Sequence, residues 1–220
     1  MQLLGRLLVV PDWTFINLAI ALFGVLNIVL AGPREARRGG QIGYSKFCRA
    51  SKLLLAFHFL KRELEVLFLH QYSSRAELEA VSTAGIGYTL LTVQVYYVGT
   101  QVPDHAYEQL PLLVGLAMFV TGELGNFYHH YLLASLRSTG QHGYVLPTRG
   151  LFDRVSCPHY LFEIIAWVGI ATVSQHLLNL LSAFGMGSYL LGRAAATTHW
   201  YRQKFDDYPK DRKHVLPYVF

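Results

Sequence analysis

Three long stretches without a charged residue constrain this chain more than any other feature. No Asp, Glu, Lys or Arg occurs at 13–33, at 80–103 or at 164–192. A helix needs about 20 mainly apolar residues to cross a bilayer, and each stretch is long enough. The last stretch is too long for one ordinary span and contains Gln175, His176 and Asn179. We therefore divide it into two helices with a turn near 175–180.

Two further apolar segments carry polar groups. Residues 50–70 include LLLAFHFLKRELEVLFLH, and residues 110–136 contain Glu123, Asn126, His129 and His130. Only 15% of the chain is charged, against about 25% in an average soluble protein. The sequence therefore predicts an all-α polytopic membrane helical bundle of six transmembrane helices, or seven, with residues 1–220 forming one membrane-embedded domain. We expect no nucleic-acid partner.

Basic residues indicate the orientation of this bundle. Lys and Arg are enriched in cytosolic loops of membrane proteins. They are frequent in 137–158 and in 200–220, so we place both segments in the cytosol, the second as an ordered C-terminal tail. Segment 32–52 is also basic but falls on the other side in a six-helix count, which leaves the topology near the N-terminus open. Positive charge follows rather than precedes the apolar run 13–33, so we expect a span there and not a cleaved signal.

Polar side chains recur at helical spacing inside the predicted spans. One stripe holds His58, Lys61, Arg62 and Glu65, and a second holds Glu123, Asn126, His130 and Arg137. Two later helices carry His159, Tyr160, Glu163, Trp167, Arg193 and Tyr201. Each stripe alone is explained by a snorkelling helix end or by a polar seam between helices. Because ionisable groups at membrane depth are costly, four such helices together favour a water-accessible pocket for a large ligand with several acidic groups.

The common cofactor and nucleophile motifs are missing. GIG at 85–87 and GMG at 185–187 lack the third glycine and the strand of a dinucleotide fingerprint. There is no GxxxxGK[ST], no HEXXH and no GxSxG. We predict no metal site, because a lone His129–His130 pair is more often hydrogen-bonded structure than a ligand set.

Four segments together resemble a known family. They are FHFLKRELEVLFLHQYS at 57–73, GELGNFYHHYLLASLR at 122–137, LPTRGLFDRVSCPHYLFEIIAWVG at 146–169 and WYRQKFDDYPKDRKHVLPYVF at 200–220. In order and spacing they resemble the steroid 5α-reductase superfamily of membrane reductases. The FHFLKRELE segment is most similar to the very-long-chain trans-2-enoyl-CoA reductases of fatty-acid elongation.

The resemblance implies NADPH bound from the cytosol inside a helical bundle of the endoplasmic reticulum membrane. It implies cofactor contacts at Asn126, Arg137, Tyr144, His159, Glu163, Trp167, Arg193 and Tyr201. It implies catalytic roles for Tyr160 and Glu65, with Lys61 and Arg62 near phosphates of the cofactor or thioester. Two positions depart from the family pattern: His159 replaces the usual Asn before Tyr160, and Phe59 stands where relatives often have Tyr.

The predicted reaction is the reduction of a carbon–carbon double bond conjugated to a carbonyl in a lipid, first of all a trans-2-enoyl-CoA thioester. A steroid 5α-reductase or polyprenol reductase is the alternative, and an S-adenosylmethionine-dependent membrane methyltransferase is a more distant one. Arginines inside helices favour phosphates over the single carboxylate of S-adenosylmethionine. Expected partners are the lipid substrate, membrane lipids and other enzymes of the elongation cycle.

Overall fold

Five α-helices make up most of the part of the chain described by the computed structural model, which covers residues 46–70, 78–99, 107–137 and 144–220. They are α1 (Lys46–Phe68), α2 (Leu78–Gly99), α3 (Gln109–Arg137), α4 (Pro158–Ser174) and α5 (Leu177–Lys204), with a 3₁₀ turn at Gly150–Asp153. The described ranges contain no β-strand, so the all-α prediction is confirmed for them. The predicted span at 13–33 lies outside the described residues.

The predicted division of 164–192 is confirmed. Helix α4 ends at Ser174, and Gln175 takes the left-handed conformation (φ 50°) that often closes a helix. His176 then caps α5, because its side chain accepts a hydrogen bond from the backbone N–H of Leu178 at 3.1 Å. The side chain of Gln175 binds the backbone of Glu108 at both its N–H (2.8 Å) and its carbonyl (2.6 Å). The α4–α5 turn is thereby tied to the start of α3.

The membrane character rests mainly on α3. Among the described helices, Gln109–Leu136 is the one that is long and apolar enough to cross a membrane by length and composition. Large apolar side chains are exposed on several helices, including Leu53 on α1, Leu90 on α2, Leu110 on α3 and Leu181 on α5. Such exposed apolar faces suit a bundle surrounded by lipid. The predicted count of six or seven spans is not confirmed.

Helices α3 and α4 approach each other unusually closely. A Cβ atom added at Gly122 would lie 2.5 Å from the backbone nitrogen of Ala166, and one at Gly169 would lie 2.6 Å from that of Phe119. Only glycine permits backbones to pack at this distance. Phe119, Ala166 and Trp167 belong to the main apolar core, together with Leu55, Leu91, Val95, Ile170, Ala171 and Ala183. The close approach places the polar residues of α3 directly against α4.

The segment before α4 and the C-terminal tail meet at one end of the bundle. Val155 and Lys213 form an isolated parallel β-bridge, and the backbone N–H of Cys157 binds the carbonyl of His214 at 3.0 Å. Arg212 is buried and donates to the carbonyl of Pro147 at 3.0 Å. Helix α5 continues to Lys204, and the tail leaves the helix at Phe205 and is held at this end of the bundle by these contacts. Its cytosolic location stays a prediction.

The surroundings of His214 in this tail affect its protonation. Its ring packs 4.8 Å from that of Phe220. Partial burial, followed by the nearby positive charges of Arg202 and Lys213, lowers the pKa of His214 below its usual value. The folded tail therefore favours the neutral imidazole.

Candidate active site

The two predicted polar stripes of α1 and α3 face each other. His58 contacts Glu123, with Nδ1 2.6 Å from Oε1. One turn further, the ammonium of Lys61 donates to the amide oxygen of Asn126. Another turn on, the Nδ1 atom of His130 lies 2.9 Å from the Oε2 atom of Glu65. The matched order of the three contacts shows that α1 and α3 run parallel here.

These residues form what we call the buried ionic cluster: His58, Lys61, Arg62, Glu65, Glu123, Asn126, His130 and Glu163. Lys61 bridges two carboxylates, with Nζ 3.3 Å from Glu65 Oε1 and 3.1 Å from Glu123 Oε2. Arg62 pairs with Glu65 Oε2 at 3.0 Å and also lies 3.2 Å from His130 Nδ1. Each carboxylate is thus held by at least one cation or ring nitrogen, as buried charges require.

Glu163 connects this cluster to α4. Its Oε2 atom accepts a hydrogen bond from the Asn126 amide at 3.0 Å, and its Oε1 atom lies 3.4 Å from both Trp167 Nε1 and His58 Nε2. Asn126 also donates to the carbonyl of His159 at 3.0 Å. Four of the predicted site residues, Asn126, His159, Glu163 and Trp167, are therefore brought together.

Tyr160 and Arg193 form a second pair, between α4 and α5. The Nε atom of Arg193 donates to the hydroxyl of Tyr160 at 3.3 Å, and an NH group of the same guanidinium reaches the hydroxyl of Tyr189 at 3.4 Å. Tyr160 is half-buried and Arg193 is exposed. Among the described residues, no carboxylate lies within ion-pair distance of Arg193. In the part of the chain that the structure describes, the hydrogen-bond partners of this exposed guanidinium are two phenol hydroxyls.

The two predicted catalytic residues do not touch. Within the described part of the chain, Glu65 and Tyr160 share no hydrogen bond. They are linked through two histidines: His130 contacts Glu65, its ring lies 5.4 Å from that of His159, and the His159 ring lies 4.3 Å from that of Tyr160. The Nδ1 atom of His159 is buried and has no hydrogen-bond partner among the residues that the structure describes. The path from Glu65 to Tyr160 is thus indirect and contains one unsatisfied polar atom.

The remaining predicted residues lie towards the tail. Tyr144 is exposed and packs against Trp200 with ring centroids 4.8 Å apart, and Lys204 Nζ stands 5.9 Å over the Tyr144 ring. Tyr201 stacks on Tyr208 at 6.1 Å. Arg137 is the last residue of α3, and its side chain lies outside the described residues. An aromatic and basic surface therefore borders the Tyr160–Arg193 pair at the end of α5.

Sequence reasoning did not assign roles to several residues of this region. His58, Glu123 and His130 were visible on the two stripes, and their spacing was the available signal. Tyr189 precedes Arg193 by one helical turn, which is a weaker signal. Tyr88 stacks on Trp167 at 6.1 Å and also contacts Phe59 at 5.8 Å. Only tertiary packing brings Tyr88 here, because it lies in an uncharged span with no polar spacing.

One group of side chains that includes Glu65 and His130 of the buried ionic cluster has the composition of a metal site. Ligand atoms of Glu65, His70 and His130 lie within 4.8 Å of one another. The guanidinium of Arg62 already contacts both Glu65 and His130 in the same place. A fixed cation at that position opposes a metal ion, and the expectation that no metal is bound stays a prediction.

Comparison with known proteins identifies the family. A family model described as 3-oxo-5-alpha-steroid 4-dehydrogenase matches residues 76–220. Steroid 5-alpha-reductase DET2 of Gossypium hirsutum is 37% identical in an alignment of 177 positions that covers 74% of this chain and 67% of that protein. 3-oxo-5-alpha-steroid 4-dehydrogenase 1 of Rattus norvegicus is 39% identical over 107 residues, 49% of this chain and 41% of that protein.

A relative named as an enoyl-CoA reductase also matches this chain. The probable very-long-chain enoyl-CoA reductase art-1 of Caenorhabditis elegans is 29% identical over 173 residues, 74% of this chain and 56% of that protein. The chain thus spans between 41% and 67% of the length of these three relatives. The resemblance predicted from four sequence segments is confirmed. The family match contains Glu123, Tyr160, Glu163 and Arg193 but begins after the site residues of α1, and the chain belongs to the 3-oxo-5-alpha-steroid 4-dehydrogenase family of oxidoreductases.

Proposed function

We propose that this protein uses NADPH to reduce a carbon–carbon double bond conjugated to a carbonyl in a lipid, with trans-2-enoyl-CoA thioesters as the substrate class. The observation that carries the proposal is the contact between Arg193 Nε and the Tyr160 hydroxyl at 3.3 Å. A conjugate reduction places negative charge on the carbonyl oxygen, and a preorganised donor stabilises that charge. A phenol beside an arginine is such a donor.

Three features of the site fit a phosphorylated dinucleotide. Arg193 is a guanidinium without a carboxylate partner among the described residues, and arginine offers a fixed fork of donors to phosphate. The buried Nδ1 atom of His159 has no hydrogen-bond partner in the described part of the chain, which leaves hydrogen-bonding capacity for a ligand. The exposed rings of Tyr144 and Trp200 provide flat surfaces at the same end. Arg137 is the further candidate for a phosphate contact.

When bound, NADPH would supply the hydride to the β-carbon, and a proton must reach the α-carbon to complete the reduction. The chain's own residues then have separate tasks. Tyr160 donates a hydrogen bond to the carbonyl oxygen as charge builds there, and Arg193 favours that charge by holding the phenolic oxygen. Glu65 orients His130, which lies on the path towards His159 and Tyr160. Lys61 contacts both Glu65 and Glu123 and so keeps that path aligned.

The same proposal covers location. It places the protein in the endoplasmic reticulum membrane, as the family resemblance implies, with the Tyr160–Arg193 end facing the cytosol. The basic character of 137–158 and of the C-terminal tail supports this orientation. Hydrogen bonds between these two segments support their lying on the same side. In this arrangement the acyl chain lies against apolar faces of the helices and the CoA head stays near the cytosol.

Steroid 4-ene-3-ones are the second candidate substrates. They are favoured by the identities of 37% and 39% to proteins named as steroid reductases, against 29% to the protein named as an enoyl-CoA reductase. The two substrates place the same conjugated carbonyl before the same phenol. They differ in the group attached to it, a thioester with phosphates or a fused ring system.

The experiment is a substrate comparison with protein purified in detergent. NADPH oxidation and product saturation are measured with a trans-2-enoyl-CoA, a 4-ene-3-one steroid and no acceptor, and S-adenosylmethionine binding is titrated in parallel. We expect NADPH-dependent formation of the saturated thioester. Reduction of the steroid alone would transfer the proposal to the second candidate. Binding of S-adenosylmethionine with no reduction of either substrate would contradict both.

A further inference from the structure

The buried side chain of His58 has a carboxylate at each of its two ring nitrogens. Its Nδ1 atom lies 2.6 Å from Glu123 Oε1, and its Nε2 atom lies 3.4 Å from Glu163 Oε1. The side chain is 1% exposed, so it is removed from bulk solvent. A neutral imidazole has one N–H group and one acceptor nitrogen. One of the two contacts would then place a nitrogen lone pair against a carboxylate oxygen.

An additional proton removes this conflict, and its neighbours show which group holds it. The second oxygen of Glu123 lies 3.1 Å from the ammonium of Lys61, and the second oxygen of Glu163 accepts from Asn126 at 3.0 Å. Both contacts favour the ionised form of a carboxylate. The proton therefore belongs to the His58 ring, which then donates to both carboxylates.

The charge balance of the buried ionic cluster leads to the same result. It contains three carboxylates, Glu65, Glu123 and Glu163. Its two permanent cations are Lys61 and Arg62, and both already contact Glu65. A buried charge without compensation is strongly destabilising. A positive charge on His58 makes the cluster neutral.

We propose that His58 is a protonated imidazolium that acts as a positioning residue for Glu163. Its charge keeps Glu163 ionised and fixes that carboxylate between α1 and α4, beside Asn126 and Trp167. Glu123 is the counter-charge on the other side of the ring. The effect on stability is independent of the proposed function, whereas the effect on cofactor affinity rests on it.

The test is a double-mutant cycle on His58 and Glu123, read by thermal denaturation in detergent and by NADPH titration. His58→Gln keeps hydrogen-bonding capacity but leaves one negative charge uncompensated, so the Tm should fall by about 6 °C or more. NADPH affinity should fall by roughly tenfold or more, the scale of a charge-assisted hydrogen bond. Glu123→Gln alone should be mild, because His58 can release its proton.

The double variant decides the question. His58→Gln with Glu123→Gln is neutral again, so both Tm and NADPH affinity should return close to those of Glu123→Gln alone. A purely structural role for the His58 ring predicts that the double variant is no more stable than His58→Gln, since the double variant loses both partners of the 2.6 Å contact. A double variant as unstable as His58→Gln, or less stable, overturns the proposal.

His129 provides a matched control. It is equally buried, but its Nδ1 donates to the carbonyl of Gly125 at 2.7 Å and its Nε2 accepts from the N–H of Leu151 at 3.3 Å. These partners need only one proton on the ring. His129→Gln should therefore show no rescue by Glu123→Gln, and equal rescue there would contradict a charge effect at His58. If the unmodified protein binds no NADPH, the proposed function fails while the Tm pattern still tests the inference.

Discussion

The buried ionic cluster and the Tyr160–Arg193 pair handle charge in opposite ways. In the cluster, Glu65 is held by Lys61, Arg62 and His130 and is 2% exposed. At the pair, Arg193 is exposed, and within the described ranges its guanidinium donates to the hydroxyls of Tyr160 and Tyr189 and to no carboxylate. In the buried ionic cluster, paired charges fix the helices relative to one another. At the Tyr160–Arg193 pair, a cation without a carboxylate partner among the described residues is available to a ligand. The difference separates residues that build the site from residues that meet the reactants.

Removing a charge from the interior region should have the largest effect. Glu65→Gln keeps the shape of the side chain but removes the carboxylate that both Lys61 and Arg62 contact, and release of the His58 proton would not restore those two contacts. Breaking a buried ion pair in this way costs about 3–5 kcal/mol, so thermal denaturation should show a large loss of stability, with reduced turnover. The exposed Glu108→Gln is the control and should denature like the unmodified protein. Near-normal stability and turnover of Glu65→Gln would remove Glu65 from both the scaffold and the catalytic assignment.

The close contact of α3 and α4 that supports the cluster can be broken sterically. Gly122→Ala places a methyl group 2.5 Å from the backbone of Ala166, and overpacking of this kind costs about 1–3 kcal/mol. Gly192→Ala, on α5, meets no atom within 4 Å and should be neutral or slightly stabilising, because alanine favours helix over glycine. Comparing the Tm of the two variants measures the steric effect. Equal values would show that α3 and α4 are not packed as described.

Changes at the Tyr160–Arg193 pair should lower cofactor affinity rather than stability. Arg193→Ala should leave the Tm nearly unchanged and weaken NADPH binding by about 1–3 kcal/mol, roughly 5–150-fold. Arg149→Ala, an exposed arginine at the same end, is the control for non-specific charge effects. Arg137→Ala tests the second predicted phosphate contact in the same titration. Equal affinity of the unmodified protein for NADH and NADPH would remove the reason to place a 2′-phosphate at these arginines.

The smallest expected effect is a pH dependence outside both regions, in the tail. Because the pKa of His214 is lowered in the fold, protonation favours the unfolded tail. Its contribution to stability is therefore complete above the unfolded pKa of about 6.5 and is lost as the pH falls below that value. Thermal denaturation at pH 7.5 and 5.5 should show a smaller decrease for His214→Gln than for the unmodified protein. A larger decrease for the variant would reverse the sign of this assignment.

The two regions also differ in how far the sequence could predict them. Spacing alone placed Lys61 with Glu65 and Asn126 with His130, since residues three or four apart share a helix face. The break near Gln175 followed from polar residues in an overlong apolar run. The partner of each stripe could not be predicted, because the pairing of His58 with Glu123 depends on which helices pack together. Gly122 and Gly169 permit the close packing of α3 on α4 that brings Asn126 against Glu163, and the sequence around a helical glycine does not show which helix will pack there.

The Tyr160–Arg193 pair was predicted mainly through the family resemblance. Spacing gave no reason to join Tyr160 on α4 to Arg193 on α5, and it gave none for the approach of Tyr88 to Trp167. The tail was expected to be ordered from its aromatic residues, but its attachment uses backbone groups of Lys213 and His214, which leave no signature in side-chain chemistry. Contacts made by backbone atoms and across helices are the part that only a structure supplies.

The most direct measurement of the central claim compares two phenols that share one arginine. Tyr160→Phe and Tyr189→Phe each remove a hydroxyl bound by Arg193, at 3.3 and 3.4 Å respectively. With saturating NADPH and an enoyl thioester, single-turnover rates should fall by roughly a hundred-fold or more for Tyr160→Phe, the scale of losing an oxyanion donor or general acid. NADPH affinity should stay nearly unchanged in both variants, and Tyr189→Phe should retain most of its rate. A near-normal rate for Tyr160→Phe, in protein that reduces the substrate, would contradict the assignment of Tyr160 as the donor to the carbonyl.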